Sequence, residues 1–210
     1  MSWINKMEIR PRKFSFKLTK YWFDNNKFKT FFWNANSLLF EQNEYIFCRL
    51  LSFYKKKVKD KTLLAEIDIL FGQESWHSYN HKAFNEQLSL NYDISSIQNK
   101  AKRLAGRVLI LKNSDKLSYA VCFEAMIVRV CKLLLKEKFT NTDPEIKNFW
   151  LWHTQEEIEH GYIARKLYRY FKFSRLLNII HMLKLLILYI DFIVFSLKEF
   201  YLQDRRHAII

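Results

Sequence analysis

Four of the six histidines in this chain fall in two short clusters. The first is Gln73-Glu74-Ser75-Trp76-His77-Ser78-Tyr79-Asn80-His81, and the second is Trp152-His153-Thr154-Gln155-Glu156-Glu157-Ile158-Glu159-His160. Each contains Glu-x-x-His, Glu74 with His77 and Glu157 with His160. On a helix, residues three apart differ by about 60° around the axis and sit one turn apart, so a carboxylate and an imidazole aim at one point. His81 lies two turns beyond Glu74, nearly eclipsed with it, and His153 shares the stripe of Glu157 and His160. One such motif is an ordinary solvated helix face. Two copies, each with an in-phase extra histidine and aromatic neighbours, point to a buried metal centre.

A helical bundle that binds two metals takes one Glu from each of two helices and one Glu-x-x-His from each of the other two. The single glutamates are Glu44, in Glu41-Gln42-Asn43-Glu44, and Glu124, in Val121-Cys122-Phe123-Glu124-Ala125-Met126. Glu124 stands among apolar neighbours, where an ionised carboxylate is costly unless paired or metal-bound. Glu44 precedes Glu74 by 30 residues, Glu74 precedes Glu124 by 50, and Glu124 precedes Glu157 by 33. The shorter gaps suit antiparallel helix pairs. The wider one suits a crossover back along the bundle, which is ferritin-like connectivity. The predicted elements are helices over Asn36–Lys57, Thr62–Leu90, Ile97–Leu111, Lys116–Glu137, Pro144–Phe171 and Leu176–Leu202. Thr62 and Asp143 are the expected N-caps, and Asn113-Ser114-Asp115 is the expected end of the third helix. The expected fold is all-α, a ferritin-like four-helix bundle with one long crossover and additional helices, forming one domain over residues 1–210.

The strings Phe71-Gly72-Gln73-Glu74 through His77-Ser78 to His81, and Trp150-x-Trp152-His153-x-x-Glu156-Glu157-x-Glu159-His160, resemble the bacterial family of predicted metal-dependent hydrolases, of the ferritin-like superfamily. The resemblance covers roughly residues 8–170. Where that family usually has Pro-x-Gly-Glu, this chain has Glu41-Gln42-Asn43-Glu44. The spacing His153-x-x-x-Glu157-x-x-His160 is more distantly similar to di-iron arylamine N-oxygenases, and that resemblance implies His153 as an additional ligand. The expected ligands are Glu44, Glu74, His77, Glu124, His153, Glu157 and His160. His81 and Glu156 are further candidates, as ligands or as partners orienting one, and Glu41 remains open beside Glu44. Glu159, His181 and His207 are expected at the surface or in the tail. Trp76, Tyr79 and Trp152 are expected to shape a dry pocket.

Carboxylate and imidazole donors without thiolate suit two iron ions, with manganese or zinc as alternatives. The first expectation is a di-iron enzyme that activates O2 to oxidise a small organic or lipid-like substrate. The alternative, which the family description implies, is metal-dependent hydrolysis of an ester or amide. A non-enzymatic metal-binding role is the third class.

Half of the 210 residues are hydrophobic and 17% are aromatic, which excludes a disordered chain. Only 3 Gly and 2 Pro argue against β-rich and α/β folds. Cys48, Cys122 and Cys131 lack paired spacing and suit a reducing, cytoplasmic setting as small core residues. The net charge of +14 favours an anionic surface such as acidic lipid. Residues 1–35 read as a basic aromatic arm packed on the body. They carry no secretory signal and no nucleic-acid-binding motif, so nucleic acid is not an expected partner, and a monomer or homodimer is expected. From Leu176 to Leu197 only Asn178, His181, Lys184, Asp191 and Ser196 are polar. That segment is long enough to span a bilayer at about 1.5 Å per residue. Its polar residues share one sector, so it reads as an amphipathic helix whose broad apolar face packs on the bundle or lies on a membrane surface.

Overall fold

The structure, a computed structural model, describes residues 7–207. Among these residues it is all-helical. The helices are α1 Lys27–Lys55, α2 Lys61–Leu88, α3 Ser95–Gly106 with a 3-10 turn Arg107–Ile110, α4 Asn113–Leu134, α5 Pro144–Tyr170 and α6 Arg175–His207.

Side-chain contacts fix the directions of the bundle helices. Lys55 pairs with Asp68, and Ser37 meets His81, so α1 and α2 run antiparallel. Cys131 meets His153 and Glu124 meets His160, so α4 and α5 do as well. Glu74 meets His160 and His77 meets Glu156, so α2 and α5 are antiparallel too. It follows that α2 and α4 are parallel. The chain between them must therefore travel back along the bundle, and α3 with its 3-10 turn makes that return.

Several boundaries differ from those read in the sequence. The first helix begins at Lys27, not Asn36, so the irregular arm ends well before residue 35. Asp24 and Asn25 adopt left-handed backbone conformations with φ of 51° and 56°, and Asn26 then caps the helix by accepting from the Lys29 N–H. The mixture of basic and aromatic residues had hidden the helical period there. Asp60, not Thr62, caps α2, and Asp143 caps α5 as its Asp-Pro pair predicts. Asn113-Ser114-Asp115 opens α4 instead of ending the helix before it, because Asp115 favours the positive end of a helix dipole.

The arm is part of the core. Phe14, Phe16, Trp22 and Phe23 are buried, and Trp22 stacks on Trp150 while its indole N–H donates to Asn34 at 2.7 Å. Asp24 accepts from the Asn141 N–H and the Thr142 hydroxyl, tying the arm to the α4–α5 loop. The three cysteines are free and buried.

Helix α6 is oriented differently from the amphipathic expectation. Leu185, Phe192, Ile193 and Phe200 face the bundle, but so do polar residues of the same sector. Ser196 is buried, and Asn178 accepts from Ser118 at 2.6 Å. His181, expected at the surface, is buried with Nδ1 2.9 Å from the Ser118 hydroxyl. The side chain of His207 lies outside the described residues. Leu176–Arg206 is by length and composition apolar enough to cross a membrane.

The arm's role in the core gives a stability prediction. Trp22→Ala removes a fully packed indole and strands Asn34, and should cost about 3–5 kcal/mol in denaturant unfolding. An unchanged midpoint would show that the arm is only loosely attached.

Candidate metal centre

Each helix of the bundle turns a carboxylate into one enclosed volume. Glu44 comes from α1, Glu74 from α2, Glu124 from α4 and Glu157 from α5, and all four are buried. His77, His81, His153 and His160 are fully buried beside them. His153 Nε2 lies 3.0 Å from Glu44 and 3.4 Å from Glu157. His160 Nδ1 lies 2.9 Å from Glu74, 3.5 Å from Glu157 and 3.7 Å from Glu124. His77 Nδ1 lies 3.2 Å from Glu157, and His81 Nε2 lies 3.7 Å from Glu44.

Two overlapping donor sets emerge. Glu44, His77, His153 and Glu157 offer atoms within 4.8 Å of one another, and so do Glu74, His77, Glu157 and His160. His77 and Glu157 belong to both. Glu124 and His81 stand at the rim of these sets.

Outer hydrogen bonds decide which nitrogen each imidazole presents. Gln73 donates its amide N–H groups to the Glu8 carbonyl at 3.0 Å and to Glu159 at 3.2 Å, which turns its oxygen towards His160. His160 Nε2–H then donates to that oxygen at 3.2 Å, leaving Nδ1 to the carboxylates. Glu156 accepts from His77 Nε2–H at 2.9 Å and is held in turn by Arg10 Nε at 3.2 Å. Asn85 donates to Glu41 at 2.7 Å and to the Ser37 carbonyl at 3.3 Å, so its oxygen accepts the Ser37 hydroxyl at 2.8 Å. Ser37 can then only accept from His81 Nδ1–H, at 2.9 Å, which leaves His81 Nε2 bare. His153 Nδ1 lies 3.8 Å from the Cys131 thiol. Partners of this kind fix tautomer and ring orientation at metal sites.

These contacts place the ambiguous residues. Glu41 is half-buried and bonded to Asn85, away from the carboxylate cluster that Glu44 enters. Glu156 sits on the outer side of His77. Glu159, expected in solvent, is half-buried under the Arg10 guanidinium, with contacts at 2.6 and 2.7 Å. Sequence reasoning missed Gln73, Ser37, Asn85 and Arg10. Gln73 shares its helix face with His77, one turn away, and that was a signal. Arg10 is 146 residues from Glu156 and left none.

The dry walls also differ from expectation. Trp152 packs edge-on to His77 at 4.9 Å, but Tyr79 is exposed and Trp76 is half-buried against it. Phe40 stacks on His153 at 5.5 Å, and Phe149 and Trp150 pack against His81 at 4.9 and 5.4 Å. Trp152 also lines a cavity of about 460 Å³ with Arg10, Arg12, Asn148 and Gln155.

The electrostatics of the cluster are those of an excess of buried negative charge. Burial first, and then repulsion by Glu74 and Glu157, pushes Glu44 and Glu124 well above the usual carboxyl range. Burial also raises Glu74, against the pull of His160. Burial would raise Glu157 as well, but His160 and His77 outweigh it and hold the group well below its usual value. His160 is raised in spite of burial by Glu157 and Glu74, whereas burial lowers His153 and His81.

The donor atoms themselves provide a fit test for metal. Oxygens of Glu44, Glu74, Glu124 and Glu157, with His77 Nδ1, His81 Nε2 and His160 Nδ1, are buried without a hydrogen-bond partner among the described residues. Buried polar atoms are normally satisfied. Here the orphans converge on one volume and carry the chemistry of cation ligands.

The sequence profile of a family described as predicted metal-dependent hydrolase matches residues 8–209, beyond the span of the motifs and through α6. The chain belongs to that family. No curated protein and no solved structure matches it. The family description agrees with the hydrolytic alternative, and nothing in the comparisons supports the O2-activating expectation.

The raised carboxyls and the raised His160 imidazole make metal binding a proton-releasing event. Groups whose pKa is raised keep their protons to higher pH in the metal-free protein and must lose them to become ligands. Calorimetric titration of metal-free protein with Zn²⁺ or Mn²⁺, in buffers of different ionisation enthalpy, should show net proton release that shrinks as pH rises through the raised pKa values. Binding without proton release would contradict the electrostatics described above.

Proposed function

We propose that this protein is a hydrolase whose centre is a pair of divalent ions held by Glu44, Glu74, Glu124, Glu157, His77, His153 and His160, with His81 Nε2 as a further donor beside Glu44. The observation that carries this reading is the pair of overlapping donor sets that share His77 and Glu157. Glu157 belongs to both sets and would help to hold either ion. Family membership supports metal dependence and hydrolysis.

Bound ions would supply Lewis acidity towards a carbonyl or phosphoryl oxygen and a nucleophile from water at neutral pH. The chain's own part is positional. Glu156, braced by Arg10, keeps the His77 proton on Nε2, and Gln73 keeps the His160 proton on Nε2. Phe40, Phe149, Trp150 and Trp152 exclude bulk water, which strengthens every charge interaction inside. Trp152 separates the centre from the cavity beside Arg12, and we place the approach of a small organic substrate there.

A second reading keeps the same centre but makes it oxidative. It draws on the four carboxylates and the nitrogen donors, which suit iron. The two readings part on redox dependence. Protein loaded with Zn²⁺ or Mn²⁺ should hydrolyse members of an ester, amide and phosphoester panel equally well with and without air. Glu157→Gln should lower kcat/KM by at least about 100-fold, on the order of 3 kcal/mol in transition-state stabilisation. Turnover that requires iron and consumes O2 would overturn the hydrolytic reading.

A further inference from the structure

Helix α6 is apolar on two faces, and the described residues cover only one of them. Leu176, Ile180, Leu183, Ile187, Ile190 and Val194 point away from the bundle and are 42–67% exposed. With Ile179 and Leu186 beside them, they bare on the order of 800 Å² in one strip, more than soluble monomers usually expose and close to what each partner contributes to a standard interface. A helix that is hydrophobic all round ordinarily has neighbours all round.

The spacing of the strip is specific. Its steps of four, three, four, three and four residues are an a/d heptad seam, with Ile180, Ile187 and Val194 at a and Leu176, Leu183 and Ile190 at d. The flanks of the seam differ in polarity. One carries the exposed Lys184, Asp191 and Lys198, and the other carries Ile179 and Leu186. If two copies ran parallel, each charged flank would lie on the partner's apolar flank. In an antiparallel pair the a residues pack on d residues, and like flanks meet.

We propose that two copies of this chain associate through α6 as an antiparallel, two-fold-symmetric pair centred between Ile187 and Ile190. Ile187 then packs on Ile190 of the second copy, and Leu183 on its Val194. This register sets Lys184 opposite the second copy's Asp191, and symmetry repeats the pair. Asp191 is available for it: it already accepts from Lys100 at 2.8 Å but stays mostly exposed. The alternation of Lys184, Asp191 and Lys198 favours a protein partner over acidic lipid, which would attract an all-basic flank. This inference does not depend on the hydrolytic reading of the metal centre.

Sedimentation of the full-length, metal-loaded protein tests it. Wild type should sediment at twice 25.7 kDa at low micromolar concentration. Ile187→Asp should sediment at 25.7 kDa with unchanged helical circular dichroism and metal content, showing that the fold is intact. Lys184→Glu and Asp191→Lys should each weaken the dimer about tenfold, and the double exchange should restore it. Leu183→Cys mixed with Val194→Cys should cross-link under oxidation more than either variant alone. A wild-type monomer, a dimer indifferent to Ile187→Asp, or charge variants without mutual rescue would overturn the proposal. So would a monomer that floats with phosphatidylglycerol-containing vesicles and loses that binding in Ile187→Asp, since the face would then serve a membrane.

Discussion

Four glutamates share one sealed volume, and much of the structure depends on what that requires. Charged carboxylates taken out of water and set against each other cost several kcal/mol apiece unless a counter-charge joins them. The three raised carboxyls and the unpartnered donor atoms are the signs of that unmet cost. His160 between Glu74 and Glu157 offsets only part of it. Cations at the overlapping donor sets would supply the rest.

Much of the surrounding architecture serves to aim the histidines. Three short polar chains, through Gln73, through Glu156 and Arg10, and through Ser37 and Asn85, each take the outer proton of one imidazole and leave its other nitrogen facing the carboxylates. Two of these chains reach the N-terminal arm, by the Glu8 carbonyl and by the Arg10 guanidinium. Asn80 adds a third tie, accepting from the Phe14 N–H at 3.1 Å and donating to the Arg12 carbonyl at 2.8 Å. The arm therefore links the stability of the fold to the precision of the centre, since loosening it would free His77 and His160 together.

The convergence of Glu44, Glu74, Glu124 and Glu157 was legible because helical period and residue gaps are local quantities. Two residues three apart share a face wherever the helix sits, and paired gaps near thirty residues bring antiparallel neighbours level. The braces were not legible in the same way. Arg10 and Glu156 meet only because the arm folds back over α5, and neither composition nor period encodes that contact. Glu41 and Glu44 differ by less than a turn, and only packing shows that one faces Asn85 and the other the cluster. Helix α6 misled for a different reason. Its polar residues share one sector, yet Asn178, His181 and Ser196 of that sector face inwards, the first two bonded to Ser118, while leucines and isoleucines stayed outside.

The most direct test of this account is the metal content of the protein purified from its own host, by elemental analysis beside the Glu44→Ala and Glu124→Ala variants. About two ions per chain are expected in the wild type and a clear loss in each variant, with helical content retained. Wild-type protein that is folded and active with no ion, or with one ion that survives both substitutions, would contradict it.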